Sequence, residues 1–188
     1  MTEPPAVSDA GTTPETRPSR AEPAAGVLIV GYGNEMCGDD VVGLLATSRM
    51  SGDARFGGAT ILAVRQLTPE LADDMRGAGL VILVDAEADR VPATIAIRHL
   101  AGRRAPSGVE GHGADGARAA GASTSHHVDP SALAALAREL WGAEPEVVVV
   151  SVGAIALELG DDPTPAVVAA VPRVVDEVAL IVERFRHA

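Results

Sequence analysis

Five short aliphatic runs constrain the fold of this chain more than any other feature of its sequence. The third run, GLVILVDA at residues 79–86, is almost uniformly aliphatic, so a strand formed from it must be covered on both faces. EVVVVSVGA at 146–154 has the same character and predicts a central strand. The remaining runs are GVLIVGYG (26–33), ATILAVRQL (59–67) and ATIAIRHL (93–100). Together the five runs predict a buried sheet of about five strands.

Segments with helical signals lie between these runs. The predicted helices begin after Asp40, at Thr68 with Pro69, at Asp129 or Ser131 with Pro130, and at Thr164 with Pro165. Strands that alternate with helices predict an α/β fold, a three-layer sandwich with a mixed, mostly parallel twisted sheet flanked by helices. Only a few residues separate the third strand from the fourth, too few for a parallel crossover. We therefore expect these two strands to pair antiparallel at an edge of the sheet.

Composition divides the chain into one domain and two weakly structured segments. With 188 residues, of which 47% are hydrophobic, the chain is long enough for one compact core. Residues 1–24 are rich in Pro, Thr, Ala, Glu and Ser without a hydrophobic period, which predicts a disordered tail. Residues 101–124 hold six glycines and almost no large apolar side chain, which predicts a flexible surface loop. The expected domain therefore spans residues 25–188.

Charge and cysteine content exclude several classes of protein. A formal net charge of −11 opposes nonspecific binding to a phosphate backbone, so we expect no nucleic-acid partner. The single cysteine, Cys37, excludes an intramolecular disulfide framework and fits a reducing compartment. No stretch approaches the roughly 20 apolar residues that span a bilayer, and no secretory signal is present. These features predict a cytoplasmic protein without a membrane partner.

Three side chains follow predicted strands or precede a predicted helix at positions where α/β sheets bind ligands. Asp40 follows the first strand, Asp85 closes the third, and His126 or His127 stands at the end of the glycine-rich loop. Each has a simpler explanation alone: a helix cap, a turn residue, or solvated histidines. Together two carboxylates and one imidazole form an O,O,N set that can hold a divalent metal with coordination positions left open. Since oxygen ligands discriminate weakly between divalent ions, selection of one metal would need further ligands from a partner.

Two other chemistries receive less support from the loop GYGNEMCGDD that follows the first strand. Its glycines resemble a dinucleotide fingerprint, but Met36 occupies the third glycine position, and the two following acids would repel a pyrophosphate. A thiolate pair of Cys37 with His126 is a second alternative, although a lone cysteine in a glycine loop is more often a small packing residue. The chain also has no Gly-x-Ser-x-Gly elbow and no His-Glu-x-x-His helix. The common protease machineries are therefore missing.

Several blocks of the sequence resemble the hydrogenase maturation peptidases in order and spacing. The first block, VLIVGYGNEMCGDDVVG, has that family's strand, Gly-x-Gly-Asn loop and acidic pair followed by x-x-Gly. The others are RQLTPELADDM, VILVDA, TSHHVDP and VSVGAIALELGDDPTPAVVAAVP. The similarity runs from about Val27 to Val182 and is interrupted by the loop at 101–124. The chain departs from the family in that loop and in its N-terminal extension.

The resemblance implies a nickel-dependent endopeptidase that removes a C-terminal extension from the nickel-loaded precursor of a [NiFe]-hydrogenase large subunit. The family's metal-contacting residues fall on Asp40, Asp85 and His126, with His127 as the neighbouring alternative to His126. Nickel would arrive bound to cysteines of the precursor, and would then either polarise the scissile bond or a water, or act only as a recognition handle. A module that escorts the precursor without cutting it, a thiol peptidase using Cys37, and a nucleotide-binding domain are the competing hypotheses.

Overall fold

A computed structural model describes residues 26–100 and 128–188 of the chain. The predicted tail at 1–24 and the predicted loop at 101–124 lie outside these residues, as do His126 and His127.

The five predicted strands form one sheet. They are β1 (Gly26–Tyr32), β2 (Thr60–Val64), β3 (Ala78–Glu87), β4 (Ile95–Leu100) and β5 (Glu146–Gly153). Their order across the sheet is β2-β1-β3-β5-β4. All neighbouring strands run parallel except β4, which pairs antiparallel with β5. The prediction of a mixed, mostly parallel sheet is therefore confirmed.

The predicted neighbour of β4 was wrong. β4 lies at an edge and runs antiparallel, as expected, but it pairs with β5 rather than with β3, and Ile97 lies opposite Val150. β5 occupies the place between them because it is aliphatic on both faces and nearly all of it is buried, whereas β4 carries the exposed Arg98 and His99. An edge position leaves such polar side chains in water and gives β5 a strand on each side.

Helices cover both faces of the sheet, so the three-layer prediction is confirmed. The helices are α1 (Val42–Met50), α2 (Leu71–Asp74), α3 (Pro130–Trp141) and α4 (Pro165–Arg186). α1 and α4 pack on one face, where Ala46 and Val171 join a buried cluster with Ile82. α2 and α3 pack on the opposite face, where Ala72 and Ala137 join a second cluster. Successive residues of the central strands therefore point alternately into two separate cores.

The cap signals located two of the helices well and misplaced a third. Asp129 accepts hydrogen bonds from Ser131 N and Ala132 N at 2.8 and 3.1 Å, and Gly142 ends α3 in the left-handed conformation at φ 64°. Thr164 caps α4, which continues to Arg186.

Thr68 does not cap α2. The helix begins at Leu71 after Glu70, because the turn at Thr68 closes with an i to i+3 bond from Leu71 N to Thr68 O at 3.2 Å. A short 3₁₀ turn, Met75–Gly77, follows α2 directly.

Because two glycines carry no side chain, the backbone of α1 lies directly against the backbone of the sheet. A Cβ atom on Gly43 would lie 2.5 Å from the carbonyl oxygens of both Tyr32 and Val84, and one on Gly31 would lie 2.1 Å from the carbonyl oxygen of Gly43. Backbone atoms of a packed strand have little room to move away. This contact fixes how closely the loop before α1 approaches the ends of β1 and β3.

We expect Gly43→Ala to lower the free energy of unfolding by about 1–3 kcal/mol, because the added methyl group overlaps two strand carbonyls. Denaturant titration measures the change. Gly52→Ala is the matched control, since a Cβ there meets nothing within 4 Å. Equal stabilities of the two variants would contradict the close contact.

Candidate functional site

Asp40 lies in the loop that connects β1 to α1. The chain passes Gly33 at φ +146° and then forms a 3₁₀ turn, Gly38–Val41. The Asp40 carboxylate accepts a hydrogen bond from Asn34 N at 2.7 Å. The cap residue of α1 is Val41, and no side chain caps that helix. Asp40 is therefore not a helix cap, and its carboxylate is held over the glycine loop instead.

Asp85 lies on β3, two residues before the end of the strand, opposite Ser151 of β5. Asp85 follows Leu83 by two residues, so its side chain points to the same face of the sheet as Leu83, which belongs to the core formed with α2 and α3. One carboxylate oxygen accepts a hydrogen bond from Ala86 N at 2.8 Å. Since β3 continues to Glu87, Asp85 is a strand residue rather than part of a turn.

The pKa of Asp85 is raised to about 7, chiefly because burial disfavours the charged carboxylate. Hydrogen bonds from Tyr32 and the Ala86 amide oppose this shift, and the charges of Asp40 and Glu87 add to it. Burial and the neighbouring Asp85 likewise raise the pKa of Tyr32, and the charge of Asp40 adds to this effect. Asp40, Asp85 and Tyr32 therefore lie close enough to influence one another electrostatically. The structure brings together the two acids that the sequence singled out, at the carboxyl ends of adjacent parallel strands.

The N-terminus of α3 lies at the same edge of the sheet. At the other end of this helix, the Arg76 guanidinium lies 4.9 Å from the ring centroid of Trp141, beside the start of β3. A helix of 12 residues is roughly 18 Å long, so α3 runs back to the carboxyl ends of the strands. Val128 packs against the core on this face and is the first residue that the structure describes on the N-terminal side of α3. His126 and His127 precede Val128 in the sequence, outside the described residues.

The described part of the chain contains no group of three or more His, Cys, Asp or Glu side chains arranged to hold a metal ion. Its two histidines lie elsewhere: His99 Nδ1 is 3.2 Å from Glu146 Oε1 at the amino end of β5, and His187 follows the last helix. A third ligand near Asp40 and Asp85 would therefore come from residues outside the described ranges or from another molecule.

Asp39 has a role that the sequence analysis did not identify. It is fully buried and accepts four hydrogen bonds, from Ile155 N at 3.0 Å, Ala156 N at 3.2 Å, Thr164 N at 2.7 Å and Thr164 Oγ1 at 2.8 Å. Burial alone would raise the pKa of Asp39, but these donors together lower it below its usual value. Asp39 thus ties the loop that bears Asp40 to the loop after β5 and to the start of α4. Asp39 and Asp40 are adjacent in the sequence, and no local pattern shows which of them is buried and which faces the site.

Cys37 lies in the same loop with its thiol next to an amide. Asn34 Nδ2 donates a hydrogen bond to Cys37 Sγ at 3.1 Å, and no described histidine approaches it. A cavity of about 490 Å³ lies elsewhere, against the C-terminal half of α4, and is lined by residues that include Arg55, Leu180 and Arg186. Neither Asp40 nor Asp85 lines this cavity.

The raised pKa of Asp85 gives the stability of the metal-free protein a defined pH dependence. The folded state keeps the Asp85 proton up to a pH of about 7, whereas the unfolded chain loses it near pH 4. The contribution of Asp85 to stability is therefore largest at and below pH 4 and falls as the pH rises through 7, by about 4 kcal/mol for a difference of about three pKa units.

Asp85→Asn should remove this decline, which urea unfolding at pH 4.5 and pH 8 in the presence of a chelator would detect. An unchanged difference between the two pH values in the variant would show that Asp85 is not the group responsible.

No protein-family model and no curated protein matches this sequence. Solved structures do match it. The [NiFe] hydrogenase maturation protease HycI from Thermococcus kodakarensis superposes with a TM-score of 0.61 at 19% identity, over 85% of this chain and 93% of that one. The hydrogenase maturating endopeptidase HybD from E. coli gives 0.61 at 18% identity, over 84% and 92%.

The hydrogenase 2 maturation peptidase from a Thaumarchaeota archaeon is also similar, with a TM-score of 0.56 at 21% identity, over 82% of this chain and 96% of that one. The protein thus has the fold of the hydrogenase maturation proteases, as the sequence resemblance implied. No helix among the described residues is long and apolar enough to cross a membrane.

Proposed function

We propose that this protein is a hydrogenase maturation endopeptidase, which removes the C-terminal extension from the nickel-loaded precursor of a [NiFe]-hydrogenase large subunit. The observation that carries the proposal is the pairing of Asp40 with Asp85 at one edge of this fold. These are the two acids that the sequence resemblance assigns to metal contact, and the charge of Asp40 reaches the Asp85 carboxyl. A membrane or nucleic-acid partner is not needed, and the single cysteine fits an enzyme of the cytoplasm.

The metal in this proposal belongs to the substrate. Two carboxylates and one imidazole, from His126, offer oxygen and nitrogen ligands to an ion that the precursor already holds through cysteine thiolates. Asn34 N orients the Asp40 carboxylate. Asp85 is partly protonated near neutral pH and would release its proton when the ion binds. A precursor without nickel would bring no cation to these two acids and would lack the contacts that the metal makes.

Cleavage adds water across one peptide bond of the precursor. The water oxygen bonds to the scissile carbonyl carbon, the C–N bond breaks, and the leaving amine takes a proton. In one version of the proposal the docked nickel polarises the carbonyl or the water. In the other it only positions the bond, and another group activates the water.

Incubation of the purified protein with nickel-loaded and nickel-free precursor tests the proposal. A loss of mass at the C-terminus of the nickel-loaded precursor alone is the expected result, read by intact-protein mass spectrometry. Binding without any loss of mass would favour the escort hypothesis. Cys37→Ser should process normally, and loss of processing in that variant, together with inhibition by thiol alkylation, would favour the thiol peptidase.

The two histidines that precede α3 can be separated by paired variants. We expect His126→Ala to slow processing by roughly 10- to 100-fold or more, as expected for loss of a metal contact, and His127→Ala to change it little. Processing rates at saturating precursor, with circular dichroism to confirm folding, give the comparison. The reverse order of effects would move the ligand to His127, and normal rates for both would remove histidine from the site.

A further inference from the structure

Three large apolar side chains at the carboxyl edge of the sheet remain in water. Met36, Ile155 and Leu159 have exposed fractions of 58%, 66% and 73%. We call these three residues the rim patch. Two of them lie in the loop after β5, and the third lies in the loop after β1 that also carries Asp40. Clustered exposed apolar side chains mark interaction surfaces more often than scattered ones do.

Hydrogen bonds join the two loops of the rim patch. Gly160 N donates to Met36 O at 2.8 Å, and Asp39 N donates to Ala156 O at 2.7 Å. The Asp39 carboxylate also accepts hydrogen bonds from the backbone amides of Ile155 and Ala156. The two loops are therefore held together, and the rim patch is fixed before any partner arrives. A prearranged surface loses little conformational entropy on binding.

The border of the rim patch is acidic. Four exposed acids lie in the same two loops: Glu35, Glu158, Asp161 and Asp162. Residues 33–42 and 154–164 contain no lysine or arginine. A partner with basic residues would be attracted to this border, whereas a second copy of this chain would bring two acidic borders together. Charge therefore argues against self-association through the rim patch.

We propose that the rim patch docks the C-terminal segment of the hydrogenase precursor, through apolar side chains of that segment flanked by lysine or arginine. This inference rests on the function proposed above. Asp40 and Met36 share the loop after β1, and the Asp39 carboxylate joins that loop to Ile155 in the loop after β5. A segment bound there would therefore leave the scissile bond close to the two acids. The rim patch supplies contacts to the polypeptide in addition to those made to the metal.

The Ile155→Glu/Leu159→Glu variant tests this inference, with Leu140→Glu as the control because Leu140 is 56% exposed on α3 outside the two loops. Biolayer interferometry with the immobilised nickel-loaded precursor measures binding. We expect about tenfold weaker binding for the double variant and unchanged binding for the control. At saturating precursor the double variant should still process at the normal rate.

Charge reversal gives a second arm of the experiment. Glu158→Lys/Asp162→Lys should weaken binding severalfold, and added salt should weaken the binding of the wild type more than that of this variant. Salt-independent binding, or unchanged affinity in both double variants, would overturn the rim patch as the docking surface.

The two proposals fail in different ways. Normal processing by Ile155→Glu/Leu159→Glu at low precursor concentration would overturn the rim patch and leave the peptidase intact. A wild type that binds the precursor through the rim patch without cutting it would overturn the peptidase and leave the docking surface. A wild type that neither binds nor cuts would overturn both.

Discussion

The Asp39→Ala variant is expected to lose about 4 kcal/mol of unfolding free energy, because three backbone amides and one hydroxyl lose a charged acceptor in a buried place. Each of these donors would have to find water or remain unpaired. The loops after β1 and β5 and the start of α4 should loosen together. Urea unfolding at pH 7 measures the loss, and hydrogen exchange at Ile155, Ala156 and Thr164 locates it.

Two further measurements connect this loss to the carboxylate. Asp39→Asn keeps one acceptor oxygen and should lose less stability than Asp39→Ala. The lowered pKa of Asp39 means that its contribution is present above the unfolded pKa, about 3.9, and is lost as the pH falls through the lower folded value. Wild type and Asp39→Ala should therefore converge in stability in strong acid. A stability difference that persists unchanged there would show that packing, not the charge, accounts for it.

Loss of either site acid should nearly abolish processing of the precursor. We expect Asp40→Asn and Asp85→Asn each to slow cleavage by about 10³-fold, because an amide is a much weaker ligand for a cation than a carboxylate. Both replacements keep the shape of the side chain. Asp85→Asn should also be more stable than the wild type at pH 8, since it removes a buried charge. Reduced activity in that variant therefore cannot be attributed to unfolding.

Asp89→Asn is the matched control for both variants, because Asp89 is exposed just beyond the end of β3. Single-turnover cleavage with nickel-loaded precursor, followed by mass spectrometry, gives the rates. Wild-type rates in Asp40→Asn and Asp85→Asn would remove both acids from the site. Loss of activity in only one of them would assign the chemistry to a single acid.

Local signals in the sequence predicted most of the fold. Aliphatic runs located all five strands because the aliphatic composition of a buried strand is visible within eight residues. Asp129 and Gly142 marked both ends of α3 because caps act on neighbouring backbone groups. The position of β5 between β3 and β4 was missed, since strand order depends on contacts between distant parts of the chain.

The sequence predicted that Asp40 and Asp85 would meet at one edge of the sheet, but not the hydrogen bonds that hold the loop of Asp40. Asp40 and Asp85 were found because each follows or ends a buried run, and parallel strands bring their carboxyl ends to one edge. The hydrogen bonds of Asp39 cross more than a hundred residues, from the first loop to Ile155 and Thr164. No local pattern contains that information. The histidine of the predicted ligand set lies outside the described residues and stays a prediction.

The insertion of β5 between β3 and β4 sets the timing of assembly during synthesis. The 58 residues between Glu87 and Glu146 must be made before β3 receives its second neighbour. At usual rates of translation this takes roughly 3–12 s, during which an aliphatic strand presents a bare edge to other nascent chains. Asp39 can accept its hydrogen bonds from Ile155, Ala156 and Thr164 only after β5 has joined the sheet. The loop after β1 therefore reaches its final arrangement only when the last quarter of the polypeptide has been made.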